Sequence, residues 1–259
     1  MSFSLARRHR ERTLAASAAS ATAASPLAQR PSSGPEATAY ELMRAQLGVD
    51  LRRLKEIQSL EAKIELKRQL LPAYVDWVEG VLEAVGDGSG EDGKAKTGVD
   101  DEVLVQVMIW RIDTGDFAGA FPLIDYVLRW NLALPLRFDR TPGCFIVEEI
   151  ADAALKAIGA GEDFDLEILL RAEPIADEED MPDQVKAKLK KALGLRFAAE
   201  FAAVKELGDG PAGALRAALE RSVSTLKRAF GLNEKVGVKK EMERLERELL
   251  KLDEDNGQA

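Results

Sequence analysis

The chain has 259 residues, 46% of them hydrophobic and 31% charged, with a formal net charge of -9; these proportions fit a globular chain of one or two modest domains and exclude an intrinsically disordered one. A single cysteine, Cys144, excludes an intrachain disulfide framework, and a single histidine, His9, excludes a Cys/His zinc cluster. No apolar run is long enough to span a bilayer and the N-terminus lacks the apolar core of a signal peptide, so no membrane partner is expected and the cytoplasm is the expected compartment.

Residues 1–35 combine a basic cluster, Arg7, Arg8, His9, Arg10 and Arg12, with an Ala/Ser run ending in Pro26, Pro31 and Pro35. Too few apolar groups are present to offset the entropy of ordering, so this segment reads as a disordered arm, in which Leu14 to Ala24 could become helical on binding. Its arginines can neutralise DNA phosphates with salt-dependent, sequence-independent affinity, or serve only to solvate a tail.

From Glu36 to Gln69 the pattern predicts one long helix, bounded by Pro35 and Pro72. Tyr40, Met43, Leu47, Leu54, Ile57 and Ile64 form a narrow a/d stripe, interrupted by Asp50 and Glu61, that fits a coiled-coil seam better than a globular core face. Lys63, Lys67 and Arg68 collect at its end, as solvated surface or as a second group of phosphate contacts. A short helix through Trp77 and Val81 to Val85 completes an oligomerisation segment over 36–85, and Gly86–Gly98 reads as a flexible connector.

Val103, Leu104, Val107, Met108 and Ile109 recur at helical spacing. Asp100, Asp101 and Glu102 suit the first turn of that helix, where carboxylates meet the positive end of its dipole. Gly115 closes the helix in the left-handed conformation, and Asp116 caps the next, which carries Phe117, Phe121, Ile124, Val127 and Leu128 on one face and stops before Leu134-Pro135. Further helices are expected after Pro142, ending at Gly159–Gly161; from Leu166 to Ala172; and from Asp183 toward Leu193, closed by Gly194. Gly208-Asp209-Gly210-Pro211-Ala212-Gly213-Ala214-Leu215 echoes the Gly115–Phe121 turn. A last helix bears Val238, Met242, Leu245, Leu249 and Leu252 as an a/d stripe, expected to pack on its own domain. The whole is all-α: a long, coiled-coil-like N-terminal helix, a helical-hairpin domain over 99–252, and an acidic tail over 253–259.

The segment Trp110-Arg111-Ile112-Asp113-Thr114-Gly115-Asp116-Phe117-Ala118-Gly119-Ala120, then Asn131-Leu132-Ala133-Leu134-Pro135 and Arg137-Phe138-Asp139-Arg140-Thr141-Pro142, resembles the small terminase subunit of temperate contractile-tailed phages of the peduovirus type. That family's protein is named the terminase endonuclease subunit. Lys67-Arg68-Gln69-Leu70-Leu71-Pro72, Trp77-Val78-Glu79-Gly80-Val81-Leu82, Asp180–Leu189 and Gly237–Leu249 match further blocks of the family in the same order. The resemblance implies a subunit that recognises phage double-stranded DNA and initiates its cleavage and packaging with a large terminase ATPase subunit, in the host bacterial cytoplasm, as a homo-oligomer and generally a ring.

Catalysis is less legible. Metal-dependent cleavage needs carboxylates that converge on magnesium. Asp113 and Asp116 flank the Gly115 turn, while Glu148 and Asp152 share a helical face at i, i+4. Capping or a solvated face is the favoured explanation of each pair. Pro182-Asp183 is not followed by the acidic-x-Lys triplet of a restriction-type nuclease, so no catalytic residue is assigned, and Mg2+ is expected only if this chain itself cuts DNA. No phosphate-cradling Gly-x-x-x-x-Gly-Lys loop is present, which leaves ATP to the partner. The competing reading is a non-catalytic helical scaffold or adaptor of phage assembly.

Overall fold

The computed structural model describes residues 5–19, 34–85, 98–207 and 213–257. Its order is α1 (Leu5–Ala19), α2 (Pro35–Glu56), α3 (Leu60–Leu70), a 3-10 turn at Leu71–Ala73, α4 (Val75–Val85), α5 (Glu102–Asp113), α6 (Phe117–Arg129), α7 (Pro142–Gly159), α8 (Leu166–Glu178), α9 (Asp183–Leu207), α10 (Ala214–Leu232), a 3-10 turn at Glu234–Val236, and α11 (Lys239–Gly257). The protein is all-helical, with no β-strand among the described residues. All of the expected connector except Gly98, and most of the Gly208–Leu215 echo, fall outside the described residues.

The chain divides into two compact units, one ending at Pro142 and the other beginning at Gly143. The sequence pattern instead places 99–252 in a single domain. In the first unit the centre is α5, whose residues from Val103 to Trp110 are all buried, Gln106 included. A helix apolar all round needs neighbours on every side, and α2, α3, α4 and α6 supply them. One fully buried carboxylate fixes the entry to α5. Asp101 accepts a hydrogen bond from the Leu104 amide at 2.9 Å, which caps the helix, and another from the Trp77 indole of α4 at 3.1 Å. Trp77 in turn stacks on Tyr40 of α2, and Tyr74 meets Trp110 edge to face.

The expected single helix over 36–69 is two helices. Ile57 adopts an extended conformation, and the Ser59 hydroxyl caps α3 by accepting from the Ala62 amide at 3.3 Å; serine competes well for backbone groups at such an end. The a/d stripe is largely spent within the chain, since Met43, Leu47 and Leu54 are buried. Asp50, an apparent flaw in the seam, is also buried: it accepts from the Tyr74 hydroxyl at 2.8 Å and pairs with Arg53 at 3.0 Å. Burial and that hydrogen bond push the Tyr74 phenol far above its ordinary range.

The expected disordered arm over 1–35 contains α1, which docks on α4 and α2. Gly80 of α4 makes this approach possible. A Cβ there would collide with the Arg12 carbonyl oxygen and lie 2.7 Å from the Ala15 Cβ. The sequence of α1 alone could not disclose this, because what holds it is an acidic row on α4: Asp76 pairs with Arg8 at 3.1 Å, and Glu79 and Glu83 both pair with Arg12.

In the second unit α7 begins at Pro142 as expected, and α8 continues past Ala172 to Glu178 despite Pro174. Gly194 does not end α9. It lies where α10 crosses, with the buried Ser222 hydroxyl donating to its carbonyl at 2.8 Å and Leu226 standing 2.6 Å from where a Cβ would be. A glycine flanked by strong helix formers and covered by a neighbouring helix acts as a packing notch, not as a cap. The α11 stripe closes over the same hairpin. Val238 and Leu245 are buried in a cluster with Ala198, Phe201, Leu219, Val223 and Leu226, and Met242, Leu249 and Leu252 pack against it. The expected acidic tail continues α11 as far as Gly257.

Candidate nucleic-acid interface

The α5–α6 hairpin forms as its sequence implies. Gly115 has φ +79°, and the Asp116 carboxylate caps α6 by accepting from the Gly119 amide at 3.0 Å. The same carboxylate binds the Arg111 guanidinium at 2.5 Å. A Cβ on Gly119 would press on the ends of both side chains, which would have to shift to admit it. The helix stops at Arg129, earlier than the Leu134-Pro135 boundary, because Asn131 takes the left-handed conformation at φ 49°.

This turn gathers cations. Lys67, at the end of α3, reaches Asp113 at 2.6 Å, and Arg68 donates to the Thr114 carbonyl oxygen at 3.4 Å. From the loop after α6, Arg137 donates to the Gln106 side chain of α5 at 2.6 Å and stacks over Phe138. Burial lowers the Arg137 pKa, while the field of Asp113 works the other way. Lys67, Arg68 and Arg111 thus meet at the turn around Asp113 and Asp116, with Glu65 3.6 Å from Arg68, and Arg137 stands further back, at Gln106 of α5, within the field of Asp113. Arg68 and Arg137 are the solvent-facing members. The sequence pattern marks Lys67 and Arg68 but not Arg111 or Arg137. Arg111 lies one helical turn and a half before the cap it binds, which is the local trace of its partnership.

The other residues singled out from sequence are dispersed. Arg8 and Arg12 are tied to α4, Arg10 is exposed on α1, and the side chain of Arg7 lies outside the described residues. Hydrogen bonding to Asp76 raises the Arg8 pKa. Lys63 and Ile64 are half-buried on α3, Ile57 is half-buried between α2 and α3, and Tyr40 packs on Trp77.

The carboxylates weighed for catalysis each hold a cation. Asp113 has Lys67 and Asp116 has Arg111, while Glu148 and Asp152 share Lys188 of α9 at 3.2 and 2.9 Å. Burial opposes the charge on Lys188, but hydrogen bonds to Asp152 and Glu148 outweigh it and raise the pKa. A magnesium ion would have to displace an ammonium or guanidinium at every one of these places, so this donor set does not fit the metal. Among the described residues no group of three or more His, Cys, Asp or Glu side chains is placed to hold a metal ion. No described helix is long and apolar enough to cross a membrane.

The model of the phage small terminase subunit family matches residues 44–184, from the middle of α2 to the start of α9. The chain belongs to that family. It is 43% identical over 213 residues to the terminase, endonuclease subunit of Escherichia phage P2, covering 82% of this chain and 75% of that one. It is 24% identical over 208 residues to a probable terminase, endonuclease subunit of Haemophilus phage HP1, covering 79% and 68%. No solved structure matches. The resemblance read from the Trp110–Pro142 segment therefore identifies the family, and that segment runs from the last turn of α5 through the hairpin turn and α6 to the loop that follows.

Proposed function

We propose that this terminase small subunit recognises phage double-stranded DNA and initiates its cleavage and packaging, with ATP hydrolysis supplied by a large terminase subunit in the host bacterial cytoplasm. The observation that carries the reading is the convergence of Lys67, Arg68 and Arg111 on the hairpin turn, with Arg137 held at Gln106 of α5, inside the family-matched region. On a chain with a net charge of -9, a corner where cations outnumber carboxylates is where a phosphate backbone gains most. Arg68 and Arg137 are the phosphate contacts. Lys67 and Arg111 set the field and hold the turn.

Cleavage fits the complex better than this chain alone, because every candidate carboxylate is already neutralised by a lysine or arginine. The scaffold alternative gains no observation of its own. For self-association, with Met43, Leu47 and Leu54 turned inward, the apolar surface that α2 still offers a second copy is Leu42 and Val49, exposed at 67% and 48%. A ring built through this outer face replaces the coiled-coil seam.

The test is to incubate the purified chain, without its partner, with duplex DNA and magnesium. Salt-sensitive binding without cutting is expected. Cutting by the chain alone would move the chemistry here, and absence of binding would overturn the reading.

A further inference from the structure

The α10–α11 hairpin carries a second concentration of positive charge, to which neither the family resemblance nor the sequence pattern gives a role. Arg228 lies near the end of α10, Lys235 on the 3-10 turn, and Lys239 and Lys240 at the start of α11; all four are solvent-exposed. Most other basic residues of α9, α10 and α11 are held in ion pairs. Lys188, Lys190, Arg196, Lys205, Arg216, Lys227, Arg244 and Lys251 each pair with a carboxylate within 4 Å. Arg228, Lys235, Lys239 and Lys240 have no such partner among the described residues. The acid nearest in sequence to the lysine pair, Glu241, is bound to Arg244, and Glu234 is the one acid between Arg228 and Lys240.

The turn that presents them is fixed. Gly237 closes it at φ +79°, the Asn233 side chain accepts from the Lys235 amide at 3.0 Å, and Lys191 of α9 donates to the Val236 carbonyl at 2.8 Å. Val238 and Leu245 anchor α11 in the core beneath, so the backbone that bears Lys235, Lys239 and Lys240 is held. Four unpaired like charges within thirteen residues, from the end of α10 to the start of α11, with Glu234 as the one acid among them, add little to folding. A polyanion supplies the counter-charge they lack.

We propose that the α10–α11 turn is a second contact with the DNA phosphate backbone, sequence-independent and made through Arg228, Lys235, Lys239 and Lys240. It rests on the DNA-recognition reading above and places a grip in the second compact unit. Three of the four are lysines, flexible point charges suited to tracking phosphates and not to bidentate reading of guanine. The turn therefore adds affinity and leaves sequence choice to other residues.

The experiment compares three full-length proteins by the salt dependence of their affinity for a mixed-sequence DNA duplex of roughly three helical turns. They are the wild type; the turn variant R228Q/K235Q/K239Q/K240Q; and the control K205Q/R216Q/R244Q/K251Q. The control removes the same formal charge from side chains already paired in the same unit. Circular dichroism and thermal midpoints establish that each variant is folded. The turn variant is expected to lose about 3–4 from the slope of log K against log salt, so that its advantage over high salt shrinks by roughly 10²-fold between 50 and 200 mM. The control should keep a slope near that of the wild type.

Equal losses in both variants would mean that net charge alone acts, and would overturn the proposal. So would a wild-type slope in the turn variant, including the case in which that variant instead fails to associate with an acidic protein partner. Binding by the turn variant with the wild-type slope and affinity, still abolished by loss of Lys67 and Arg68, would overturn this inference and leave the proposed function standing. No DNA binding by the wild type would overturn both.

Discussion

Replacing Asp101 with Ala removes the one carboxylate that joins the start of α5 to α4. The side chain is wholly buried, so solvent cannot take over its two acceptor roles. Loss of the cap on the Leu104 amide costs about 0.5–2 kcal/mol. Leaving the Trp77 indole N–H unsatisfied in the core costs a further ~1–3 kcal/mol. The sum, about 1.5–5 kcal/mol, lowers the thermal midpoint by roughly 5–15 °C for a unit of this size. Asp101→Asn should fall between wild type and Ala, since one amide oxygen can serve one donor while the amide nitrogen opposes the other. Urea unfolding of W77F, D101A and the double variant isolates the indole contribution as a coupling energy of about 1–3 kcal/mol. The reasoning fails if the single effects simply add, or if D101A costs no more than a typical surface substitution, about 0.5 kcal/mol.

Gly80→Leu should lift α1 from α4 by collision with the Arg12 carbonyl and Ala15. The freed Arg8 and Arg12 should then raise DNA affinity, read by titration with labelled duplex. Gly194→Ala should destabilise the second unit despite a helix-propensity gain of about 1 kcal/mol, because its Cβ meets Leu226 at 2.6 Å; denaturant midpoints decide the sign. The hydrogen bond and charge of Lys205 lower the Glu248 pKa, so that pair's stabilisation is present above the ordinary carboxylate range and lost as pH falls through the folded value. E248Q should therefore flatten the acid limb of the stability–pH curve below about pH 5. Substituting Leu42 and Val49 with Ser should reduce the mass seen by light scattering while leaving the helical signal intact.

What the sequence disclosed was local. Gly115, Asp116 and the a/d spacing of Val238, Met242, Leu245, Leu249 and Leu252 act over one or two turns, and each appears in the fold where the pattern places it. The missed features depend on partners distant in the chain. Gly194 reads as a stop until Ser222 and Leu226 cover it, and α1 reads as disordered until Asp76, Glu79 and Glu83 supply its counter-charges. The stripe on α2 is a real apolar face whose neighbour the pattern cannot name, since Tyr40 and Met43 lie against this chain's own helices. At the candidate site, the Lys67-Arg68 pair is visible as a charge run. Arg137 is not, because only the folded loop returns it to Gln106 of α5.

The most direct test of the DNA-recognition account is the salt dependence of duplex binding by the full chain and by K67Q/R68Q, measured without magnesium so that no cutting intervenes. The account predicts linear, salt-sensitive binding by the wild type and a slope shallower by about 0.9 for each phosphate that the variant no longer neutralises. A folded variant that binds with the wild-type slope and affinity would contradict the placement of the DNA grip at the α5–α6 turn.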